Sequence, residues 1–229
     1  MDKSENSFSE ILDLRSFDLG VCSLFDAQPT ETIDPPNQSE SPAVFTFPDR
    51  PQINYQPTAN DSDALDGFDL SVGNTWQYPT SHEVRSYQFV ISERCLYQNC
   101  LVCIPTGLGK TFIAAVVLHN FLRWYPSGRV IFMAPTRPLV TQQMEACREF
   151  TKMSPDIFTE LTGTVHPAQR AQMWNQFRAF FLTPQAIVND LISGICPASS
   201  ITCIVIDEAH KATGNHAYCQ VRFFYIFCW

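Results

Sequence analysis

Two patterns of apolar residues divide the chain. Through residue 72 the apolar side chains come singly, among Ser, Asn, Asp and the prolines Pro29, Pro35, Pro36, Pro42, Pro48, Pro51 and Pro57. Such sparse apolar content does not offset the entropy of ordering a chain, so residues 1–72 are expected to be disordered. From Trp76 on, short apolar runs alternate with stretches of helical period. Residues 100–104 form an apolar run that ends in a Pro-Thr-Gly turn. Residues 111–124 place Ile113, Val116, Val117 and Phe121 at helical spacing. The same reading gives strands at 129–134 (stopped by Pro135), 157–161, 179–182 and 201–206, with helices at 138–150, 167–177 and 185–193. Strands separated by helices of this length pair in parallel through right-handed crossovers, and ligands of such sheets sit at the carboxyl ends of the strands.

Charge follows the same division. Residues 1–80 hold fourteen acids against three bases, whereas the remainder holds nine acids against twelve bases. The overall charge of −8 therefore belongs to the N-terminal segment and leaves the second part compatible with nucleic acid. Two echoes in the acidic segment, Ser16-Phe-Asp-Leu-Gly20 and Gly67-Phe-Asp-Leu-Ser71, are candidates for folding onto a protein partner, against a plain solvated tail. The cysteines number nine and no basic, apolar leader opens the chain, so reduced thiols and an intracellular location are expected. Cys100 and Cys103 have zinc-ligand spacing without a second pair, and are read as buried strand cysteines. His82, His119, His166 and His216 show no metal spacing and are read as surface or core residues. No apolar run approaches the roughly 20 residues of a membrane span, so no membrane partner is expected.

Two strings carry chemistry. Ile104-Pro-Thr-Gly-Leu-Gly-Lys-Thr111 lies between a strand and a helix. Backbone N–H groups of Pro105-flanked Thr106, Gly107, Leu108 and Gly109 can wrap a phosphate, helped by the positive end of the following helix. Lys110 is placed to reach β- and γ-phosphates and the Thr111 hydroxyl to ligate Mg2+. The general pattern begins with Gly where Ile104 stands, but the Gly-x-Gly-Lys-Thr core is intact. The second string, Ile204-Val-Ile-Asp-Glu-Ala-His210, puts an acidic pair directly after an apolar strand, which is costly unless a cation meets it. Asp207 is placed to hold Mg2+, Glu208 to orient and deprotonate an attacking water, and His210 to couple the nucleotide and nucleic-acid sites.

These strings resemble superfamily 2 helicases of the DEAH type, and the segments between them sharpen the likeness to the Fanconi anaemia group M and Hef family. Ala134-Pro-Thr-Arg-Pro-Leu-Val140, Thr162-Gly163 and Thr183-Pro-Gln185 resemble the elements that contact one DNA strand's backbone. By that resemblance Pro135, Thr136, Arg137, Thr162, Gly163, Thr183, Pro184 and Gln185 bind phosphodiesters without reading bases. Arg85-Ser-Tyr-Gln88 resembles the glutamine motif, which implies adenine binding by Arg85 and Gln88. Trp76 and Tyr78 either stack on adenine nearby or pack in the core. The implied fold is α/β: a RecA-like P-loop NTPase lobe with a mostly parallel sheet flanked by helices, preceded by the disordered acidic segment. The implied activity is ATP- and Mg2+-dependent translocation and remodelling of branched DNA in nuclear repair. Double-stranded RNA helicases share the fold, but usually carry Cys where Ala209 stands, and a non-catalytic interaction fragment is the third reading.

The resemblance runs from about Trp76 to Val221, giving a tail at 1–72, an ATP-binding lobe at 73–221 and a non-family aromatic end at 222–229. The family's Ser-Ala-Thr strand and second lobe, with its arginines, have no counterpart in these residues. The expectation is a truncated fragment with weak nucleotide binding, negligible helicase activity and an unpaired sheet edge.

Overall fold

The computed structural model describes residues 67–79 and 84–225, together with two short strands, β1 (Gly20–Ser23) and β2 (Ala43–Thr46). The rest of the segment expected to be disordered, including the first Phe-Asp-Leu echo, lies outside the described residues, as do residues 226–229.

The strands and helices then alternate: β3 (Thr75–Tyr78), α1 (Ser86–Tyr97), β4 (Cys100–Cys103), α2 (Lys110–Trp124), β5 (Arg129–Met133), α3 (Arg137–Thr151), β6 (Phe158–Leu161), α4 (Pro167–Gln176), β7 (Ala179–Leu182), α5 (Pro184–Ile192), β8 (Ile201–Ile206) and α6 (Ala217–Tyr225). The strands and helices read from residue 100 to 206 are all present, within a few residues of their expected ends. Four strands form one parallel sheet in the order β6-β7-β5-β8. The phosphate-loop strand β4 is not in that ladder; it pairs in parallel with β1, while β2 and β3 pair antiparallel.

Strand alternation sorts the core onto two faces. Val130, Phe132, Ala179, Phe181 and Phe158 point to one face and pack with Ala115, Leu118 and Leu122 of α2 and Val140 and Cys147 of α3. Ile131, Met133, Phe180, Leu182 and Leu161 point to the other and pack with Trp174 of α4, Ile187 and Leu191 of α5 and Tyr218 and Val221 of α6. The central strands β5 and β7 are thus covered on both sides, which is why they read as continuous apolar runs rather than alternating ones. On the far side of α2, Trp76, Tyr78 and Phe89 pack with Phe112, Val116 and Trp124. Trp76 and Tyr78 are each only 1 % exposed, so the core-packing alternative holds and neither ring is available to stack on a base. The second echo belongs to this layer: Phe68 meets Tyr125 edge-on at 5.2 Å, and the Asp69 N–H donates to the Trp124 carbonyl at 2.7 Å.

A buried polar post links α4 to α5. Asp190, fully buried, accepts from Arg170 Nε at 2.8 Å and from Trp174 Nε1 at 2.9 Å. Arg170 also donates to the Val165 carbonyl at 2.9 Å, fixing the loop that follows β6.

Cys100 and Cys103 lie in a strand as expected, but the expectation of burial is corrected. Cys100 is half-buried and Cys103 exposed, because β4 has no second partner strand among the described residues. No helix among the described residues is long and apolar enough to cross a membrane.

Candidate functional site

In a parallel sheet all the carboxyl ends lie along one margin, so β5, β6, β7 and β8 deliver Pro135, Thr162, Thr183 and Asp207 to the same edge. The residues that carry the sequence motifs follow those strand ends directly.

The loop between β4 and α2 is anchored at both ends. Ile104, in the place of the usual glycine, is buried against Ile91 and Ile113, so the departure from the pattern fills the core under the loop. Gly107 and Gly109 adopt φ of 81° and 83°, the left-handed region open to glycine without strain. Gly109 is also the residue that starts α2, and the side-chain amide of Gln88 lies where its Cβ would stand. Lys110 folds back on the loop, its Nζ donating to the Ile104 carbonyl at 2.8 Å and the Pro105 carbonyl at 3.3 Å. Thr111 lies in the first turn of α2. Gln88 is buried in α1 and gives its Nε2–H to the Leu108 carbonyl at 3.1 Å. Tyr87 donates to the same carbonyl at 3.1 Å, and exposed Arg85 reaches the Tyr87 hydroxyl at 3.3 Å. Gln88 therefore braces the phosphate loop from α1 with the amide end that adenine recognition would employ as a donor.

The acidic string follows the end of β8. The Asp207 N–H continues the ladder to the Met133 carbonyl at 2.9 Å, and Asp207 Oδ1 accepts from the Glu208 N–H at 2.9 Å. Glu208 takes a left-handed φ of 53°, and its carboxylate lies 3.4 Å from His210 Nε2. Burial holds the Asp207 carboxyl above its ordinary range; the Glu208 carboxylate adds to this, while the Glu208 N–H, Lys110 and Lys211 pull the other way. Lys110 is thus within electrostatic reach of Asp207, although their strands are not paired.

Two partners of Asp207 had not been singled out in the sequence. Gln143 of α3 donates to Asp207 Oδ2 at 3.4 Å, and its Oε1 is buried without a hydrogen-bond partner. Tyr218 of α6 is 2 % exposed and donates its hydroxyl to the Asp207 carbonyl at 2.8 Å. Burial and the negative charge of Asp207 and Glu208 push its phenol up to about 12.

Mg2+ fits this donor set. A half-buried carboxylate disfavoured in its charged form, the unpartnered Gln143 oxygen beside it and the Thr111 hydroxyl supply a few hard oxygens, the sparse protein ligation that Mg2+ keeps alongside water and phosphate. Among the described residues no cluster of three or more His, Cys, Asp or Glu is placed to hold a metal by itself.

Beside the acidic strand, a cavity of about 530 Å3 lies among residues 135–137, 183–185 and 215–217. It brings together six of the eight residues expected to meet DNA. Thr162 and Gly163 are not among its walls; they follow β6 at the far end of the sheet, where the Thr162 and Thr164 hydroxyls share a hydrogen bond at 2.9 Å.

The DEAD/DEAH box helicase family model matches residues 85–224, from the residue before α1 into α6. The chain belongs to the DEAD/DEAH box helicase family. Its relatives include the Fanconi anemia group M protein homolog of Mus musculus, 56 % identical over 155 residues that make up 68 % of this chain and 8 % of that protein. The ATP-dependent DNA helicase fml1 of Schizosaccharomyces pombe is 51 % identical over 154 residues, 67 % of this chain and 18 % of the relative. The Hef helicase domain of Pyrococcus furiosus superposes with a TM-score of 0.59 at 41 % identity, covering 62 % of this chain and 30 % of that structure. This helicase-family chain therefore spans less than a fifth of the length of either curated relative, and its fold is that of the RecA-like part of the Hef domain.

Proposed function

We propose that this chain is the nucleotide- and DNA-backbone-binding lobe, residues 73–221, of an ATP-dependent DNA helicase or translocase acting on branched DNA such as forks and Holliday junctions in nuclear repair. One observation carries the reading: Lys110 of a glycine loop is near enough to Asp207, at the end of an acidic strand, to favour its charged form, and a cavity gathers residues 135–137 and 183–185 at the carboxyl margin of the sheet. The fission-yeast relative is named an ATP-dependent DNA helicase and the mouse relative a Fanconi anemia group M protein homolog, which supports the choice of substrate.

In this reading the loop from Pro105 to Gly109 wraps the phosphates and Lys110 leaves its two carbonyls for the β- and γ-phosphates. Arg85 and Gln88 lie on the adenine side. Thr111 and Asp207 would hold Mg2+, which would screen the charge between the phosphates and the acidic strand. Glu208 takes the proton of the attacking water, and His210, already in contact with it, couples that carboxylate to the nucleic-acid side. Arg137 and the Thr136 and Thr183 hydroxyls hold phosphodiesters, and Pro135, Pro184 and Gln185 shape their approach. The acidic N-terminal segment is a candidate docking element for a protein partner.

Binding of a fluorescent ATP analogue with Mg2+, compared between the wild type and Lys110→Ala, tests the nucleotide site. At least a tenfold weaker affinity is expected for the variant, and equal binding removes the site. Titration with a labelled DNA fork and with duplex RNA tests the substrate, where preference for the RNA would replace the DNA assignment.

A further inference from the structure

The cavity at the sheet margin has a third wall with no role in the reading so far. Residues 135–137 lead into α3 and 183–185 into α5, and both belong to the backbone-contact set. Residues 215–217 lead into α6. We infer that Asn215 and His216 complete the phosphodiester site, with His216 donating its Nε2–H to a phosphate oxygen of a DNA strand. The inference rests on the backbone-binding role proposed above and adds to it a histidine, which the backbone-contact strings do not contain.

Three observations support it. The first is charge: Arg137 is the one fully ionised side chain lining the cavity, and no carboxylate lines it, so the space favours an anion. The second is the tautomer of the histidine. His216 Nδ1 accepts the Tyr218 N–H at 3.2 Å, so in the neutral ring the proton resides on Nε2, and His216 lines the cavity. The ring is held in that orientation by Tyr218, whose own ring lies 4.9 Å away at 41°. The third is what the other two walls leave unspent. Thr136 and Thr183 precede α3 and α5 without capping them, so neither hydroxyl is committed to its helix. Hydroxyls, a guanidinium and an imidazole donor around one open cavity form a site for a singly charged, chain-borne phosphate, not for a base edge.

The wall is also tied to the acidic strand. Tyr218 is bonded to His216 through its N–H and to the Asp207 carbonyl through its hydroxyl. One buried residue therefore spans the distance from the proposed phosphodiester contact to the proposed magnesium ligand.

The test uses the 229-residue chain and a fluorescein-labelled single-stranded oligonucleotide read by anisotropy, with fluorescent-ATP affinity measured on the same samples. His216→Ser keeps a side chain that can cap α6 and withdraws the ring donor; about three- to tenfold weaker DNA binding with unchanged nucleotide affinity is expected. His216→Asp also caps, and sets a carboxylate against the phosphate, so its loss should exceed that of the serine variant. Wild-type DNA affinity in both variants, alongside a weakened Arg137→Ala, overturns the third wall and leaves the backbone-binding reading standing. If Arg137→Ala also binds as wild type, that reading fails with it. Parallel loss of DNA and nucleotide affinity in the His216 variants assigns the residue to folding and overturns the inference. So does inorganic phosphate that displaces the oligonucleotide at equal concentration from wild type and variants alike, because the cavity is then a free-anion site.

Discussion

Replacing Asp190 by Ala should be among the most damaging single changes away from the nucleotide loop. The carboxylate has no solvent contact and satisfies two donors, Arg170 Nε at 2.8 Å and Trp174 Nε1 at 2.9 Å. Removing it strands a guanidinium that is itself nearly buried and leaves an indole N–H without an acceptor. A buried pair broken on one side costs about 3–5 kcal/mol, and the orphaned indole is included in that range. Against a total stability of roughly 5–15 kcal/mol the loss is a large fraction, and for a chain of this length it lowers Tm by roughly 6–20 °C. The assay is urea unfolding followed by circular dichroism, with a thermal melt on the same samples. A double variant, Arg170→Met with Asp190→Leu, removes both charges together and should recover most of the loss, because the penalty lies in the unpaired charge. A single variant within about 1 kcal/mol of wild type would refute the reasoning, as would a double variant no better than the single.

Two further outcomes are expected. Burial raises the Asp207 carboxyl above its ordinary value of 3.8, so the folded chain holds that proton more tightly than the unfolded chain does. The stability this gives is complete below pH 3.8 and is lost as pH rises through the folded value. Asp207→Asn should therefore melt above wild type at pH 7 in Mg2+-free buffer, with the gap closing toward pH 4; a gap that is constant with pH would contradict it. Gly109→Ala combines a left-handed φ of 83° with a collision between its new Cβ and the Gln88 amide, so a loss of about 1–3 kcal/mol and at least tenfold weaker nucleotide binding are expected. Wild-type nucleotide affinity in this variant would show that the loop does not need that conformation.

Much of the fold was legible because its signals are local. The runs at 129–133 and 179–182 are apolar throughout, since both strands are covered on two faces. Helix α1 escaped for the opposite reason: its buried stripe is interrupted by Gln88 and Ser92, so no unbroken apolar period marks it. Strand β3 has only four residues, and its alternation of buried Trp76 and Tyr78 is too short to stand out. The site divided along the same line. Lys110 and Asp207 lie in contiguous strings whose meaning does not depend on distant chain, whereas Gln143 and Asp207 are 64 positions apart and meet only because α3 packs beside β8's end. His216 looked featureless because its role depends on a cavity made by three separated segments.

The split between the phosphate-loop strand and the main sheet has a mechanical consequence. A hydrogen-bonded ladder fixes two strands in register, but no ladder joins β4 to β8 among the described residues. Instead β4 leans on α1 and α2 through Ile91, Ile104 and Ile113, and the main sheet leans on the other face of α2 through Ala115, Leu118 and Leu122. Packed side chains can shear by small steps where paired backbones cannot. In the proposed reading a nucleotide bridges the phosphate loop and the main sheet like a staple across two plates, and amide exchange along β4 should slow when it is bound.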